Sequence, residues 1–160
     1  MMGILLILDY IGAFAPIILT ISSLLLLLPK IQYFIVFVIG LSLNHIINTI
    51  LKLYFKAPRP LNDNKKLEIG LENGQRNSMD KFGMPSGHAQ NCAFMLVYIT
   101  MALKNIFITQ IYMTITFISL CQRYKYNNHT FLQLFFGVIV GITLGYFTYS
   151  MGKAYITDGK

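Results

Sequence analysis

Two histidines stand at the polar mouths of apolar segments, where they could act on a substrate. His129 lies in the stretch NNHTFLQLFF, and Gln133 follows it one helical turn later. A neutral imidazole is a nucleophile when one ring nitrogen is open and an acceptor holds the other, and the Gln133 carbonyl can be that acceptor. His88, in the stretch GMPSGHAQ, is placed where it could give a proton to a leaving group. The pair therefore suggests a nucleophile and a general acid, although a lone interfacial histidine is usually only solvated.

Cations accompany both histidines along the chain. Lys52 is followed seven residues later by Arg59, which is flanked by prolines, and Arg123 precedes the second histidine by six residues. Arginine offers a planar fork for two phosphate oxygens, and lysine offers a point charge. In isolation, such cations are read as side chains that snorkel to a membrane surface. Together with two histidines, they favour an anionic, phosphate-bearing substrate.

The segment around the first histidine also resembles an anion-binding helix start. Pro85 suits a first helical turn, because its missing N–H group costs nothing there. Ser86, Gly87 and His88 would then present backbone N–H groups and a hydroxyl at the positive end of a helix. Gly87 allows a close backbone approach. An ordinary helix start is the alternative, and these four residues alone do not exclude it.

The composition indicates a membrane protein. Apolar residues make up 55% of the chain and charged residues 12%, against about 25% charged in soluble domains. Ten of the nineteen Lys, Arg, Asp and Glu residues lie between Lys56 and Lys81. The net charge of +7 comes without a dense basic run, so we expect no nucleic-acid partner and attribute the charge to an anionic membrane surface or substrate. The length suits a single domain over residues 1–160, with a polar loop at 56–84.

Five apolar segments predict five membrane-spanning helices, since a span needs about 20 predominantly apolar residues. They cover residues 1–28, 31–55, 85–103, 106–121 and 130–151. The fourth segment is short, so we expect it to extend into residues 122–126. The first contains AFAP, which resembles a signal-peptide cleavage site, but no basic residue stands at its start and Asp9 lies early in it. We therefore expect a retained helix.

The connections between these segments determine where the polar residues gather. The links at residues 29–30 and 104–105 are tight, so their flanking helices are antiparallel neighbours. Alternation of direction then places the polar loop and the link at residues 122–129 on one membrane face. We predict an all-α, integral membrane bundle of about five transmembrane helices with its active site at that face.

Smaller patterns refine this prediction. Asn44, Asn48 and Lys52 recur every four residues, which predicts a polar stripe that faces the bundle interior or a cavity. Small residues at the same spacing in the last segment favour close helix packing or, alternatively, a homodimer face; they are Gly137, Gly141 and Gly145. Two cysteines without metal-type spacing predict buried thiols; they are Cys92 and Cys121. The loop carboxylates look scattered and suit no metal ion, so we expect no metal or cofactor; they are Asp63, Glu68, Glu72 and Asp80.

The candidate residues form three motifs that resemble those of the type 2 phosphatidic acid phosphatase and vanadium haloperoxidase superfamily. That family has K-x6-R-P, P-S-G-H and S-R-x5-H-x3-D, and this chain matches them, in the same order, at residues 52–60, 85–88 and 123–129. The resemblance implies a metal-independent phosphatase in which His129 attacks phosphorus and becomes phosphohistidine, while His88 protonates the leaving group. It also implies that the phosphate oxygens are held by Lys52, Arg59, Ser86, Gly87 and Arg123.

The chain departs from the third motif at two positions, because Gln122 replaces the serine and Gln133 replaces the terminal aspartate. FGMPSGHAQ and HTFLQLFFG look most like the dolichyl-diphosphatase branch, where this glutamine is usual, although that branch has serine at Gly87. The branch implies a polyprenyl diphosphate substrate and a site that faces the lumen of an endoplasmic reticulum-type membrane. The charge bias of the loops, taken alone, places the site in the cytosol. Phosphatidate or lysophosphatidate is the alternative substrate, and a catalytically silent lipid-phosphate-binding membrane protein is the alternative function.

Overall fold

The computed structural model describes residues 2–65, 67–68, 71–72, 75–76 and 81–158. Its helices are α1 (Met2–Leu27), α2 (Ile31–Phe55), α3 (Gly87–Leu103), α4 (Ile106–Lys125) and α5 (Phe131–Asp158). The loop between α2 and α3 also contains a two-residue antiparallel pair, β1 (Leu71–Glu72) and β2 (Gln75–Arg76). The predicted helical bundle is confirmed, whereas the short hairpin in the polar loop was not predicted.

Local residue choices explain where the helices begin and end. Lys56 and Lys104 end α2 and α3 in the left-handed conformation, with φ angles of 46° and 52°. Ser86 caps the start of α3, which therefore begins two residues later than the sequence predicts. The side chain of Asn105 accepts hydrogen bonds from the first amides of α4. Helix α4 extends to Lys125, as predicted, and α5 runs seven residues beyond its predicted end.

Within the part of the chain that the structure describes, three helices are long and apolar enough to cross a membrane, over Gly3–Leu27, Ile31–Phe55 and Phe131–Ile156. Helix α3 has 17 residues and supplies much of the buried core. The outer faces of the other helices expose many large apolar side chains, as lipid contact requires. The chain is therefore a membrane protein built as a helical bundle. Cys92 is buried as predicted, but the prediction for Cys121 is wrong, because this residue lies on the exposed side of α4.

The predicted polar stripe of α2 lies against α3. Asn44 Nδ2 donates to Asn91 Oδ1 over 2.6 Å, and Asn48 Nδ2 donates to Gln90 Oε1 over 2.8 Å. The side-chain Nε2 atom of Gln90 in turn donates to Asn44 Oδ1 over 2.9 Å. Lys52 is buried at the end of the same stripe. The prediction that the stripe faces the bundle interior is confirmed, and the amide network fixes the rotation of α2 against α3.

The glycines of α5 allow its backbone to approach that of α3. A Cβ added at Gly137 would lie 2.7 Å from the Ser86 carbonyl oxygen, and one at Gly141 would lie 2.2 Å from that of Gln90. Gly145 meets α3 in the same way one turn further on. The packing prediction is confirmed, and the glycine row lies inside the bundle rather than on a homodimer face. This contact places the start of α5 beside the start of α3.

Contacts at the two ends of the bundle confirm the predicted topology. Lys30 Nζ donates to the carbonyl of Ala102 over 2.9 Å, so the two tight turns lie at the same end. At the opposite end, the Asn64 amide of the long loop donates to the Tyr126 carbonyl over 3.0 Å. The polar loop and the link between α4 and α5 therefore meet, and all three motifs lie at this end.

Candidate active site

His129 lies in the link between α4 and α5 and is 3% exposed. Its Nδ1 atom lies 2.9 Å from the carbonyl oxygen of Gly83 and 3.3 Å from Gln133 Oε1. Both are acceptors, so Nδ1 carries the proton of the neutral ring and Nε2 carries the lone pair. Nε2 lies 3.1 Å from Arg59 Nη1. The nucleophilic atom therefore points at a cation that can hold a phosphate oxygen.

The surroundings of this histidine keep it neutral. Burial lowers the pKa of His129 well below its ordinary value, and the positive charges of Arg59 and Lys52 lower this pKa further. A charged imidazole would lie buried among other cations. The arrangement therefore favours the neutral, nucleophilic form at physiological pH.

Gln133 ties the start of α5 to the loop that carries the first motif. Its Nε2 atom donates to the carbonyl of Pro58 over 2.7 Å, and its Oε1 atom accepts from the Thr130 amide over 3.1 Å. The Gln133 amide in turn donates to Thr130 Oγ1 over 3.2 Å, which completes a capping box. Of the two acceptors of His129 Nδ1, Gln133 thus lies at the longer distance. Its side chain also bonds to the backbone on both sides of the histidine.

The Gly83 carbonyl was missed by the sequence analysis, because a backbone acceptor has no signature of its own. In the sequence, this role is indicated only by the residue type, a glycine at position 83. A Cβ at this position would lie 2.6 Å from Gln133 Nε2 and 2.7 Å from Gln133 Oε1. A side chain at position 83 would therefore have to displace the Gln133 amide from its place.

Each predicted cation lies at the same end of the bundle. The position of a Cβ on Gly87 is 4.0 Å from Lys52 Nζ, so this ammonium group borders the start of α3. Arg59 Nη1 also donates to the Asn128 carbonyl over 2.9 Å. Arg123 is 1% exposed, and its Nε atom donates to Gln122 Oε1 over 2.5 Å. Gln122, which replaces the serine of the family motif, therefore orients this guanidinium group.

Arg123 has one nitrogen available for a ligand. Its Nη1 atom pairs with Glu68, while its buried Nη2 atom has no hydrogen-bond partner within the described part of the chain. A buried guanidinium N–H group without an acceptor carries a desolvation cost. A phosphate oxygen at this position would remove that cost.

The start of α3 offers donors, though not all those that the sequence predicts. The Ser86 amide donates to the Gln133 carbonyl over 3.0 Å, and Ser86 Oγ accepts from Ala89 N over 3.4 Å. The amides of Gly87 and His88 also belong to the first turn, at the positive helix end. His88 Nε2 lies 3.0 Å from the carbonyl of Ala13, so α1 holds this ring.

Hydrogen bonds and one close approach link the three motifs. Arg59 of the first motif contacts His129 of the third. Lys52 of the first motif borders Gly87 of the second. The second motif is bonded to α5 through the amide of Ser86. The residues that the sequence predicts for one site are therefore brought together.

The loop carboxylates are not all scattered, which corrects the sequence analysis. Asp63 and Glu68 both bind Arg76 and lie beside the third motif. Burial raises the pKa of Glu68, but the hydrogen bond from Arg76 and the charges of Arg123 and Arg76 hold it below its ordinary value. Asp80 and the side chain of Glu72 lie outside the described residues.

An apolar groove of about 390 Å³ runs between α4 and α5. It is lined by Leu120 and Tyr124 on α4 and by Phe131, Leu134 and Val138 on α5, among others. These residues belong to the halves of the two helices that are nearest to the third motif. The groove therefore has room for a hydrocarbon chain on the same half of the bundle as the third motif.

The model of the PAP2 superfamily, the type 2 phosphatidic acid phosphatase group, matches residues 33–156. The matched region covers most of the chain and contains all three motifs. Neither a curated protein nor a solved structure matches the sequence.

Proposed function

Because the chain belongs to the PAP2 superfamily, whose members are phosphatases, we propose that it is a membrane phosphatase that hydrolyses a polyprenyl diphosphate of the dolichyl type without a metal ion. The observation that carries this proposal is the environment of His129. Its Nδ1 atom lies 2.9 Å from the Gly83 carbonyl, which leaves Nε2 as the nucleophile beside Arg59. This is the arrangement that nucleophilic attack on phosphorus needs.

The first chemical step transfers the terminal phosphoryl group to the protein. Nε2 of His129 forms a bond to phosphorus, and the bond between phosphorus and the bridging oxygen breaks. His88 donates a proton to that oxygen, so the polyprenyl monophosphate leaves. The Ala13 carbonyl, 3.0 Å from Nε2 of His88, would help to hold the ring in place for this transfer.

The second step releases the phosphate. His88, now neutral, takes a proton from a water molecule whose oxygen attacks the phosphohistidine. The bond between phosphorus and Nε2 breaks, inorganic phosphate leaves, and both histidines return to their starting states. The Nδ1–H group of His129 stays on the Gly83 carbonyl throughout, which keeps the ring in one orientation.

Charge stabilisation in both steps would come from the protein. Lys52, Arg59 and the Nη2 atom of Arg123 would bind the equatorial oxygens, together with the amides of Gly87 and His88. Ser86 would contribute its hydroxyl, because its amide already donates to Gln133. Preorganised donors of this kind account for most of what phosphoryl transfer requires.

The substrate class rests on two observations of different kinds. The motif stretches FGMPSGHAQ and HTFLQLFFG resemble the dolichyl-diphosphatase branch. The groove between α4 and α5 is apolar and lies in the halves of these helices that are nearest to the third motif, which suits a long isoprenoid chain. The Gly83 carbonyl gives His129 an acceptor even without the aspartate, which favours an active enzyme over the silent-protein alternative.

The proposed function is tested with purified protein in detergent. We expect phosphate release from dolichyl diphosphate to exceed release from phosphatidate and lysophosphatidate, to persist in excess EDTA and to be inhibited by orthovanadate. His129→Ala should remove the activity. Higher activity on phosphatidate would refute the substrate class, and complete loss of activity in EDTA would refute the metal-independent mechanism.

We also propose that the site faces the lumen of an endoplasmic reticulum-type membrane, because the motifs resemble those of the dolichyl-diphosphatase branch. Asn62 is exposed in the polar loop and can carry a reporter cysteine. In sealed microsomes of an Asn62→Cys, Cys121→Ala variant, a membrane-impermeant maleimide should react only after the vesicles are opened. Full reaction in sealed vesicles would place the site on the cytosolic face.

A further inference from the structure

An ion-pair network in the polar loop connects to both arginines of the proposed site. Arg76 lies at its centre and donates from Nε and Nη2 to the two oxygens of Asp63, over 2.9 and 3.0 Å. Its Nη1 atom donates to Glu68 Oε2 over 2.7 Å. All three side chains are largely buried, with exposures of 7% for Arg76, 13% for Asp63 and 5% for Glu68. Paired, forked contacts of this kind give a fixed geometry.

One arm of the network reaches Arg123. Glu68 binds Arg76 through Oε2 and Arg123 through Oε1, so one carboxylate joins the two guanidinium groups. Gln122 binds the Nε atom of Arg123 on its other side. The guanidinium plane is therefore held at two nitrogens, and the third nitrogen, Nη2, is the one that has no acceptor within the described residues.

The other arm reaches Arg59. Asn128 Nδ2 donates to Asp63 Oδ1 over 2.9 Å and to the carbonyl of Asn64 over 2.8 Å, which fixes the Asn128 residue against the loop. The carbonyl of Asn128 accepts from Arg59 Nη1 over 2.9 Å. The same Arg59 nitrogen lies 3.1 Å from Nε2 of His129. Asp63 therefore fixes Asn128, and the Asn128 carbonyl orients Arg59.

We propose that Asp63, Glu68 and Arg76 are positioning residues, which orient Arg123 and Arg59 for the substrate phosphate and stay in place while it is bound. The inference rests on the proposed function of the site. Glu68 is anchored at both oxygens, and Arg123 keeps a separate nitrogen for the ligand, so the phosphate has no need to displace the carboxylate. The two carboxylates also offset two of the four cations in and beside the site, Lys52, Arg59, Arg76 and Arg123. Besides the proton that His88 would carry before the first step, these lysine and arginine side chains keep a charge of +2, which suits a dianionic phosphoryl group.

The experiment compares orthovanadate binding, by calorimetry, and turnover in variants of the intact protein. Arg76→Met should weaken orthovanadate binding about tenfold or more, because Glu68 loses its anchor and Arg123 its orientation. Arg76→Lys keeps the charge without the fork and should bind with an intermediate affinity. Glu68→Gln should also bind more weakly, with KM for the lipid raised more than kcat is lowered. Lys81→Met is the matched control, since it removes an exposed cation from the same loop and should change nothing.

The outcomes separate the inference from its alternatives. Tighter orthovanadate binding by Glu68→Gln would show that Glu68 blocks the site, which overturns the positioning role. Wild-type affinity in folded Arg76→Met also overturns it, as does equal weakening by Lys81→Met. Thermal unfolding of each variant shows whether it is folded. If Arg76→Met is unfolded, the orthovanadate affinity of Arg76→Lys decides the test. If the wild type binds orthovanadate but hydrolyses no lipid, the proposed function fails while the positioning role stands; if the wild type binds none, both fail.

Discussion

Replacement of Gln133 by leucine removes the side chain that stands where the family has an aspartate. Three contacts disappear: the donation to Pro58 O at 2.7 Å, the acceptance from Thr130 N at 3.1 Å and the contact with His129 Nδ1 at 3.3 Å. The Gly83 carbonyl, at 2.9 Å from Nδ1, is unaffected. The substitution therefore removes hydrogen bonds that hold the backbone around His129. The Gly83 carbonyl still keeps the proton of the neutral ring on Nδ1.

The magnitudes follow from these contacts. Pro58 and Thr130 are exposed and can bind water, so loss of the capping box and the loop tie should lower the free energy of unfolding by about 1–3 kcal/mol. Loss of one long hydrogen bond to the imidazole is worth about 1 kcal/mol, or roughly five- to tenfold in kcat. Loss of the correct tautomer would instead cost about 10⁴-fold. We predict the smaller effect.

The assay is phosphate release from dolichyl diphosphate by the folded variant, with thermal unfolding measured alongside. Gln133→Asp is the matched variant, because it keeps an acceptor for the ring and the Thr130 amide while it removes the donor to Pro58. It should retain activity within about tenfold of the wild type. A loss beyond about 10³-fold in folded Gln133→Leu would refute the role of the Gly83 carbonyl. An inactive Gln133→Asp beside an active Gln133→Leu would refute the role of residue 133 as an acceptor.

Gly83→Ala should lower kcat roughly five- to tenfold with little change in KM, because the added Cβ displaces the Gln133 side-chain amide that lies 2.6 Å away and so removes the same contact as Gln133→Leu; a wild-type kcat would contradict the close approach. Gly141→Ala should lower the free energy of unfolding by about 1–3 kcal/mol or more, since its Cβ would lie 2.2 Å from a carbonyl oxygen of α3. Gly3→Ala meets nothing within 4 Å and should be neutral in the same thermal assay. Val138→Trp narrows the apolar groove and should raise KM for a long polyprenyl diphosphate more than for a short one, whereas equal effects would place the chain elsewhere. The lowered pKa of His129 means that its neutral form persists as the pH falls through 6.5. NMR titration of labelled His129 should therefore show protonation only at more acid pH, and a pKa at or above 6.5 would contradict its burial among cations.

Most of the site follows from patterns that a sequence carries openly. The spacing of Asn44, Asn48 and Lys52 predicts a buried face, and α2 turns that face to α3. The three motifs lie at the ends of apolar segments, so the alternation of helix direction suffices to gather them. The row of glycines in α5 likewise predicts close packing, because nothing larger fits at those positions.

The sequence does not predict the contacts that depend on irregular backbone. Gly83 contributes a carbonyl oxygen, which every residue has, so its role depends on a path through the loop that no periodicity specifies. The pairing of Asp63 and Glu68 with Arg76 arises in the same way, from a loop without helical or strand repeat. Similarly, the hold of Ala13 on His88 depends on how α1 packs.

The most direct test of the central claim is capture of the covalent intermediate. Dolichyl diphosphate labelled with ³²P in its terminal phosphate is mixed with the purified protein, quenched in alkaline detergent and mapped by peptide. We expect acid-labile, alkali-stable label on His129 that is absent from the His129→Ala variant. Label on another residue, or hydrolysis by His129→Ala at the wild-type rate, would contradict it.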